Sequence, residues 1–181
     1  MEYWDLLDKD RQPLGKTHPR GRQYPLPDGA YHLVVYILTL DGEGRLLITR
    51  RSENKRGYPG FWEFTGGSAV AGEDSITSAR RELLEETGLD VPAEDVTLLT
   101  TMRFLSAFVD VYLARPHGTA DTLSVTLQEG ETCDSRWVTL REFEEMLRTD
   151  HIPPTLAMVY GAVRAQVMAA MAVAATGKEA P

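Results

Sequence analysis

Intramolecular disulfides are excluded first: the 181 residues contain a single cysteine, Cys133. A signal peptide's apolar stretch is also missing, because residues 1–10 alternate charged and apolar side chains. The longest apolar run, residues 167–175, is too short to span a bilayer, so neither a membrane nor an exported location is expected and a cytoplasmic one is the default. Basic charge is scarce as well. Nineteen Lys and Arg against 27 Asp and Glu leave a net charge of -8, which disfavours a nucleic-acid polymer as partner. No internal repeat and no long linker divides the chain.

What is present is the composition of an ordinary globular domain, 43% hydrophobic and 25% charged. The length suits one domain over residues 1–181, with residues 1–30 as an N-terminal extension. Residues 3–8 read as a short strand, followed by a turn-rich stretch through Gly15, Pro19, Gly21, Pro25, Pro27 and Gly29. Residues 31–40 and 45–51 read as a hairpin about the turn Asp41 to Gly44, and 61–65 as a short apolar segment ending at Gly66 and Gly67. A helix is predicted over 73–87, closed by Gly88 at its C-terminus. Strands are predicted over 96–104, 107–114, 122–127 and 133–138, and helices over 139–147 and 155–175. The expectation is an α/β or α+β domain, one mixed sheet with helices on its faces.

On the 73–87 helix, Ile76, Ala79, Leu83 and Thr87 share a face that can pack on a sheet. Glu82, Glu85 and Glu86 share another. Like charges at i, i+3 and i+4 repel unless a cation bridges them, and hard oxygen ligands suit Mg²⁺ or Mn²⁺. A solvated acidic face is the ordinary reading of such a helix. The surrounding pattern overrides it: Gly67, Glu73, Arg81-Glu82-Leu83, Glu85-Glu86 and Gly88 recur at fixed spacing. Leaving out the apolar Leu83, seven identities near 6% usage each give a chance match on the order of 10⁻⁷.

This segment, residues 67–89, resembles the signature of the Nudix hydrolases at every position. The resemblance implies a Nudix-type sheet sandwiched between helices and hydrolysis of a diphosphate bond in a small molecule. It places Glu82, Glu85 and Glu86 at the metal, with the backbone carbonyl of Gly66 as a further ligand. Arg81 and Glu73 would form a supporting ion pair, and Glu82 would act as base toward the attacking water. A further carboxylate commonly comes from a loop, and Glu131 and Glu129 are the candidates.

Outside the signature, His32, Asp41-Gly42, Arg50-Arg51, Lys55 and Pro59 to Trp62 resemble the isopentenyl-diphosphate isomerases, an offshoot of the same superfamily. Arg50, Arg51 and Lys55 then become diphosphate-binding candidates, with Arg56 beside them; His32 and His18 stand at places matching the isomerase's metal-binding histidines, but His32 reads here as structural because its partner ligands are missing. The isomerase needs a cysteine and, two residues on, a histidine; Gly66 and Ser68 occupy those places. Cys133 is distant and reads as a small buried hydrophobe. The reading is therefore a hydrolase of isomerase-like ancestry, with isomerase activity or a non-catalytic diphosphate-binding module as alternatives. Tyr58, Phe61 and Trp62 are candidates to stack on a base or line an apolar pocket, Trp62 reading first as core. The apolar helix at 155–175 predicts packing on the domain or on a second copy, hence a homodimer.

Overall fold

A computed structural model describes residues 1–21, 24–148 and 151–176. The parts of the expected 1–30 extension and 1–181 domain at residues 22–23, 149–150 and 177–181 lie outside the described residues. Two sheets are present. The small one pairs β1 (Tyr3–Leu7) with β2 (Pro13–Pro19), antiparallel. The large one holds β3 (His32–Leu40), β4 (Leu46–Arg51), β5 (Trp62–Glu63), β6 (Thr65–Ser68), β7 (Val96–Phe104), β8 (Ala107–Ala114) and β9 (Thr132–Val138).

The path through the large sheet is β5-β4-β3-β8-β7, with β6 paired to β3 and β9 to β4. β3 and β8 run parallel and every other pairing is antiparallel, so the sheet is mixed. Along β3 the side chains alternate between two cores. Val35 and Ile37 face α1 (Ser75–Thr87), with Ala79, Leu83 and Val91. Leu38 and Leu40 face α2 (Leu140–Met146) and α3 (Pro154–Thr176), with Phe143, Leu156, Val163 and Val167. This two-faced burial explains why β8 reads as an uninterrupted buried run rather than an alternating one. The expected mixed sheet between helices is the architecture observed.

Helix α1 starts at Ser75, two residues later than predicted, because the Asp74 side chain accepts from the Thr77 amide and caps it. Gly88, at φ 72°, ends it. Thr139 and Glu142 form a reciprocal capping box at α2.

Three expectations are corrected. Residues 122–127 form no strand; the segment passes the end of α1, where the Thr126 amide donates to the Thr87 carbonyl and Leu123 and Val125 pack on the α1-side core. The β-branched pattern there serves packing, not pairing. The stretch holding Pro13, Gly15 and Pro19 is strand β2, with the prolines at its ends, where an edge strand tolerates them. Helix α3 averages as apolar over Pro154–Ala174, long and apolar enough by length and composition alone to cross a membrane, although the uninterrupted run begins only after the charged Arg164 and polar Gln166. In the structure its buried stripe fills the sheet's second core.

Candidate active site

The site begins with strand β6, whose Gly66 lies close against β3 and whose Gly67 lies close against α1. A Cβ at Gly66 would come 2.6 Å from the Val35 carbonyl oxygen, and one at Gly67 would overlap the Glu82 carboxylate. Glu82 is thereby brought directly over the strand. From β6 the chain loops through Val70 and Glu73 into α1.

Arg81 organises the carboxylates. Its Nε and Nη2 donate to the two oxygens of Glu73, at 2.7 and 3.0 Å, a bidentate pair that ties the loop to the helix. Its Nη1 donates to Glu82 and to Glu85, each at 3.0 Å. The ion pair expected between Arg81 and Glu73 is present, and the same guanidinium also spans two of the three helix glutamates.

Glu86 has no such partner. It is buried, and its Oε2 meets no hydrogen-bond donor. Burial pushes its carboxyl well above the ordinary carboxylate range, and Glu63, Glu82 and Glu131 push it further. Burial likewise raises Glu82, while Arg81 opposes the rise. Glu85 is more open, with 44% of its side chain exposed, and can swing toward a ligand.

These groups line a small pocket of about 180 Å³ whose wall is almost wholly polar. Gly66, Gly67, Arg81, Glu82, Glu85 and Glu86 come from β6 and α1. Arg51, Lys55, Gln128 and Glu131 come from β4 and the loops before β5 and β9, and Glu2 and Arg20 from the N-terminal hairpin. A larger cavity of about 280 Å³ lies beneath that hairpin, but leucines, Pro13 and Ala69 supply much of its wall and it holds none of the signature's helix glutamates.

Of the expected phosphate binders, Arg51 and Lys55 reach the pocket and Arg50 does not. Successive residues of a strand point to opposite faces. Arg51 thus bonds Glu63 at 2.5 Å, and Arg50 turns away to the Gly60 carbonyl and Glu53, both at 2.9 Å. Arg56 is exposed and lies outside the pocket. Lys55 pairs with Glu131, which lines the pocket; Glu129 is exposed and does not.

His32 stacks on Trp4 with ring centroids 4.0 Å apart and is pushed down to about 4, first by burial and then by Arg20. His18 bonds the Tyr24 carbonyl. Neither lines the pocket. Cys133 is exposed on β9, with its thiol 3.5 Å from the Arg51 carbonyl, correcting the expected buried thiol. Trp62 is core, as expected, while Tyr58 is exposed and meets Phe61 at a tilt, 5.4 Å between centroids.

Sequence reasoning missed Glu63, Gln128, Glu2 and Arg20. For Glu63 a signal existed: it is the lone charge between Trp62 and Phe64, and strand alternation sends it to the face opposite those two core side chains. The other three are carried by loops and a hairpin whose docking no local pattern announces.

The donor set suits a hard divalent cation: three carboxylates on one helix face, a glycine strand that leaves room for them, and one buried oxygen without a partner. Among the described residues no three acidic, histidine or cysteine side chains already converge as a ready cage. Arg81 accounts for this, because it holds Glu82 and Glu85 toward itself.

A mixed sheet between helices, carrying a glutamate-lined helix behind a glycine strand, defines a Nudix-type domain. The NUDIX domain matches residues 30–158. An uncharacterised Nudix hydrolase of Listeria monocytogenes is 35% identical over 155 residues, covering 85% of this chain and 89% of that one. The uncharacterised Nudix hydrolase YfcD of Salmonella typhi is 30% identical, covering 84% and 79%. Among solved structures, DR0079 from Deinococcus radiodurans has a TM-score of 0.72 at 21% identity, covering 90% of this chain and 99% of that one. The NUDIX domain of Shewanella oneidensis NrtR, complexed with ADP ribose, has a TM-score of 0.61 at 16% identity, covering 82% and 94%. The chain belongs to the Nudix family, and it is a Nudix hydrolase.

Proposed function

We propose that the protein hydrolyses the diphosphate linkage of a small molecule, a nucleoside diphosphate joined to another moiety or a related diphosphate, with Mg²⁺ or Mn²⁺ as cofactor. The observation that carries the reading is the unpartnered, buried Oε2 of Glu86 beside Glu82 and Glu85. Glu82, Glu85, Glu86 and the carbonyl of Gly66 would hold the cation, with Glu131 as a further carboxylate. When bound, it neutralises diphosphate charge and lowers the pKa of coordinated water.

The chain's own groups supply the rest. Arg51 and Lys55 bind phosphate oxygens, exchanging their present carboxylate partners for the substrate. Glu82 takes the proton as water oxygen attacks phosphorus, and the bond from that phosphorus to the bridging oxygen breaks. Arg81 holds Glu82 in place and keeps the loop at Glu73 on the helix. Gly67 and Gly88 are structural, one for close approach and one for the turn that ends α1.

The nucleoside side of the substrate class is supported by likeness of fold to the ADP-ribose complex and to a Francisella tularensis enzyme complexed with AMP and manganese, which has a TM-score of 0.61. The outer face of α3, where Ala157, Gly161, Ala165 and Ala169 are exposed beside a single charge, Arg164, favours association of two copies.

The test is a panel of diphosphate compounds with and without Mg²⁺, isopentenyl diphosphate included, with Glu86→Gln alongside. Metal-dependent phosphate or nucleotide release that the variant lacks is expected. No turnover of any compound would instead make this a binding module.

A further inference from the structure

The hairpin β1–β2 lies wholly outside the region matched by the NUDIX domain, yet its open end forms part of the pocket. Four contacts fix it there. The Ala71 amide donates to the Tyr3 carbonyl at 2.8 Å, and the Gly72 amide to the Asp5 carboxylate at 2.7 Å. Trp4 stacks on His32, and Leu7 pairs with Tyr31. Two of these anchors are on the signature loop itself, so the hairpin is held in register with α1.

At the open end, the Arg20 amide donates to the Glu2 carbonyl at 2.9 Å and the Arg20 guanidinium bonds the Glu2 carboxylate at 2.5 Å. Both side chains are about half exposed, 46% and 53%, so the ion pair is weakly held and open to exchange. Arg20 and Lys55 line the same pocket as Glu82, Glu85 and Glu86.

We propose that Arg20 is a substrate-binding residue that exchanges Glu2 for a phosphate of the diphosphate, and that Glu2 is the internal competitor holding it ready. This rests on the diphosphate-hydrolase reading. Phosphate charge is then met from two sides of the chain's architecture, by Arg51 and Lys55 from the main sheet and by Arg20 from the hairpin. A guanidinium is suited to this because its planar fork can take two phosphate oxygens at once.

The experiment is calorimetric titration of Mg²⁺ and inorganic pyrophosphate into the full chain, paired with steady-state kinetics on whichever diphosphate the wild type turns over. Arg20→Ala should weaken pyrophosphate about tenfold and raise KM by a similar factor, with kcat changed less than about threefold. Arg20→Lys should recover part of the loss, since it restores charge but not the fork. Glu2→Gln should leave binding unchanged or tighten it, because the competitor is removed.

If Arg20→Ala stays within twofold of a wild type that does bind and turn over, the proposal fails while the hydrolase reading stands. If Glu2→Gln weakens binding as much as Arg20→Ala, the pair is only a clip on the hairpin and the proposal fails. A wild type that neither binds pyrophosphate nor turns over any diphosphate overturns both.

Discussion

Replacing Glu86 with Gln should make the metal-free protein more stable and inactive at once. The wild-type carboxylate is buried among Glu63, Glu82 and Glu131 and has one oxygen without a partner. Removing its charge removes an uncompensated desolvation cost of about 1–2 kcal/mol. For a chain of this size that is roughly 2–8 °C in Tm. The folded state holds the Glu86 proton more tightly than the unfolded chain does, so wild-type stability falls as pH rises from the ordinary value of 4.5 through the raised one. The variant has no such titration, so its advantage should be small below the ordinary value and should grow as pH rises through the raised one. Metal reverses the order. At a hundred times its Kd, Mg²⁺ should stabilise wild type by about 2.7 kcal/mol, and the variant by far less. Turnover should drop at least about a hundredfold. Thermal melts across pH 4–8, with and without Mg²⁺, give both signs. A variant that melts lower without metal, or gains as much from Mg²⁺ as wild type, would refute the assignment of Glu86 as an electrostatically costly metal ligand.

Gly67→Ala meets only the movable end of Glu82, so it should fold normally and lose about a hundredfold in turnover through displacement of that carboxylate. Gly66→Ala meets the Val35 backbone, so it should lower stability by about 1–3 kcal/mol, read by urea denaturation. Asp110, buried on β8, is raised by burial but pulled below its ordinary value by Arg11, Ser75 and Thr101, so it stabilises the fold above that value and loses the effect as pH falls through the lowered one. Asp110→Asn should therefore destabilise by about 2 kcal/mol at neutral pH, discounted because Arg11 is one-third exposed, and converge with wild type in acid melts. Equilibrium sedimentation at micromolar concentration should show a dimer; a monomer alone would remove the proposed association through α3.

The helix that carries the glutamates was legible because its information is local. Spacing put Glu82, Glu85 and Glu86 on one face and Ile76, Ala79 and Leu83 on another, and Gly88 marked the end. The Arg81–Glu73 pair followed from the family resemblance and is present. What local pattern could not give was how separate segments meet. The β-branched run at 122–127 satisfies strand statistics but finds no paired neighbour, whereas β2, with prolines at both ends, pairs because β1 covers it. Arg50 and Arg51 are alike in sequence; strand alternation separates them, and the phase of that alternation depends on which face the sheet buries. Gln128, Glu2 and Arg20 reached the pocket through tertiary docking alone.

The parallel pairing of β3 with β8 joins His32 to Ala107, and the whole of α1 lies in the loop that this pairing closes. Closing so long a loop must precede the contacts that repay it, which favours slow folding. During synthesis, β6 and α1 leave the ribosome before β8 exists to complete the sheet beneath them. The last residues of the candidate pocket to be made, Gln128 and Glu131, follow β8 in the chain, so the pocket should be completed only after that long-range pairing can form.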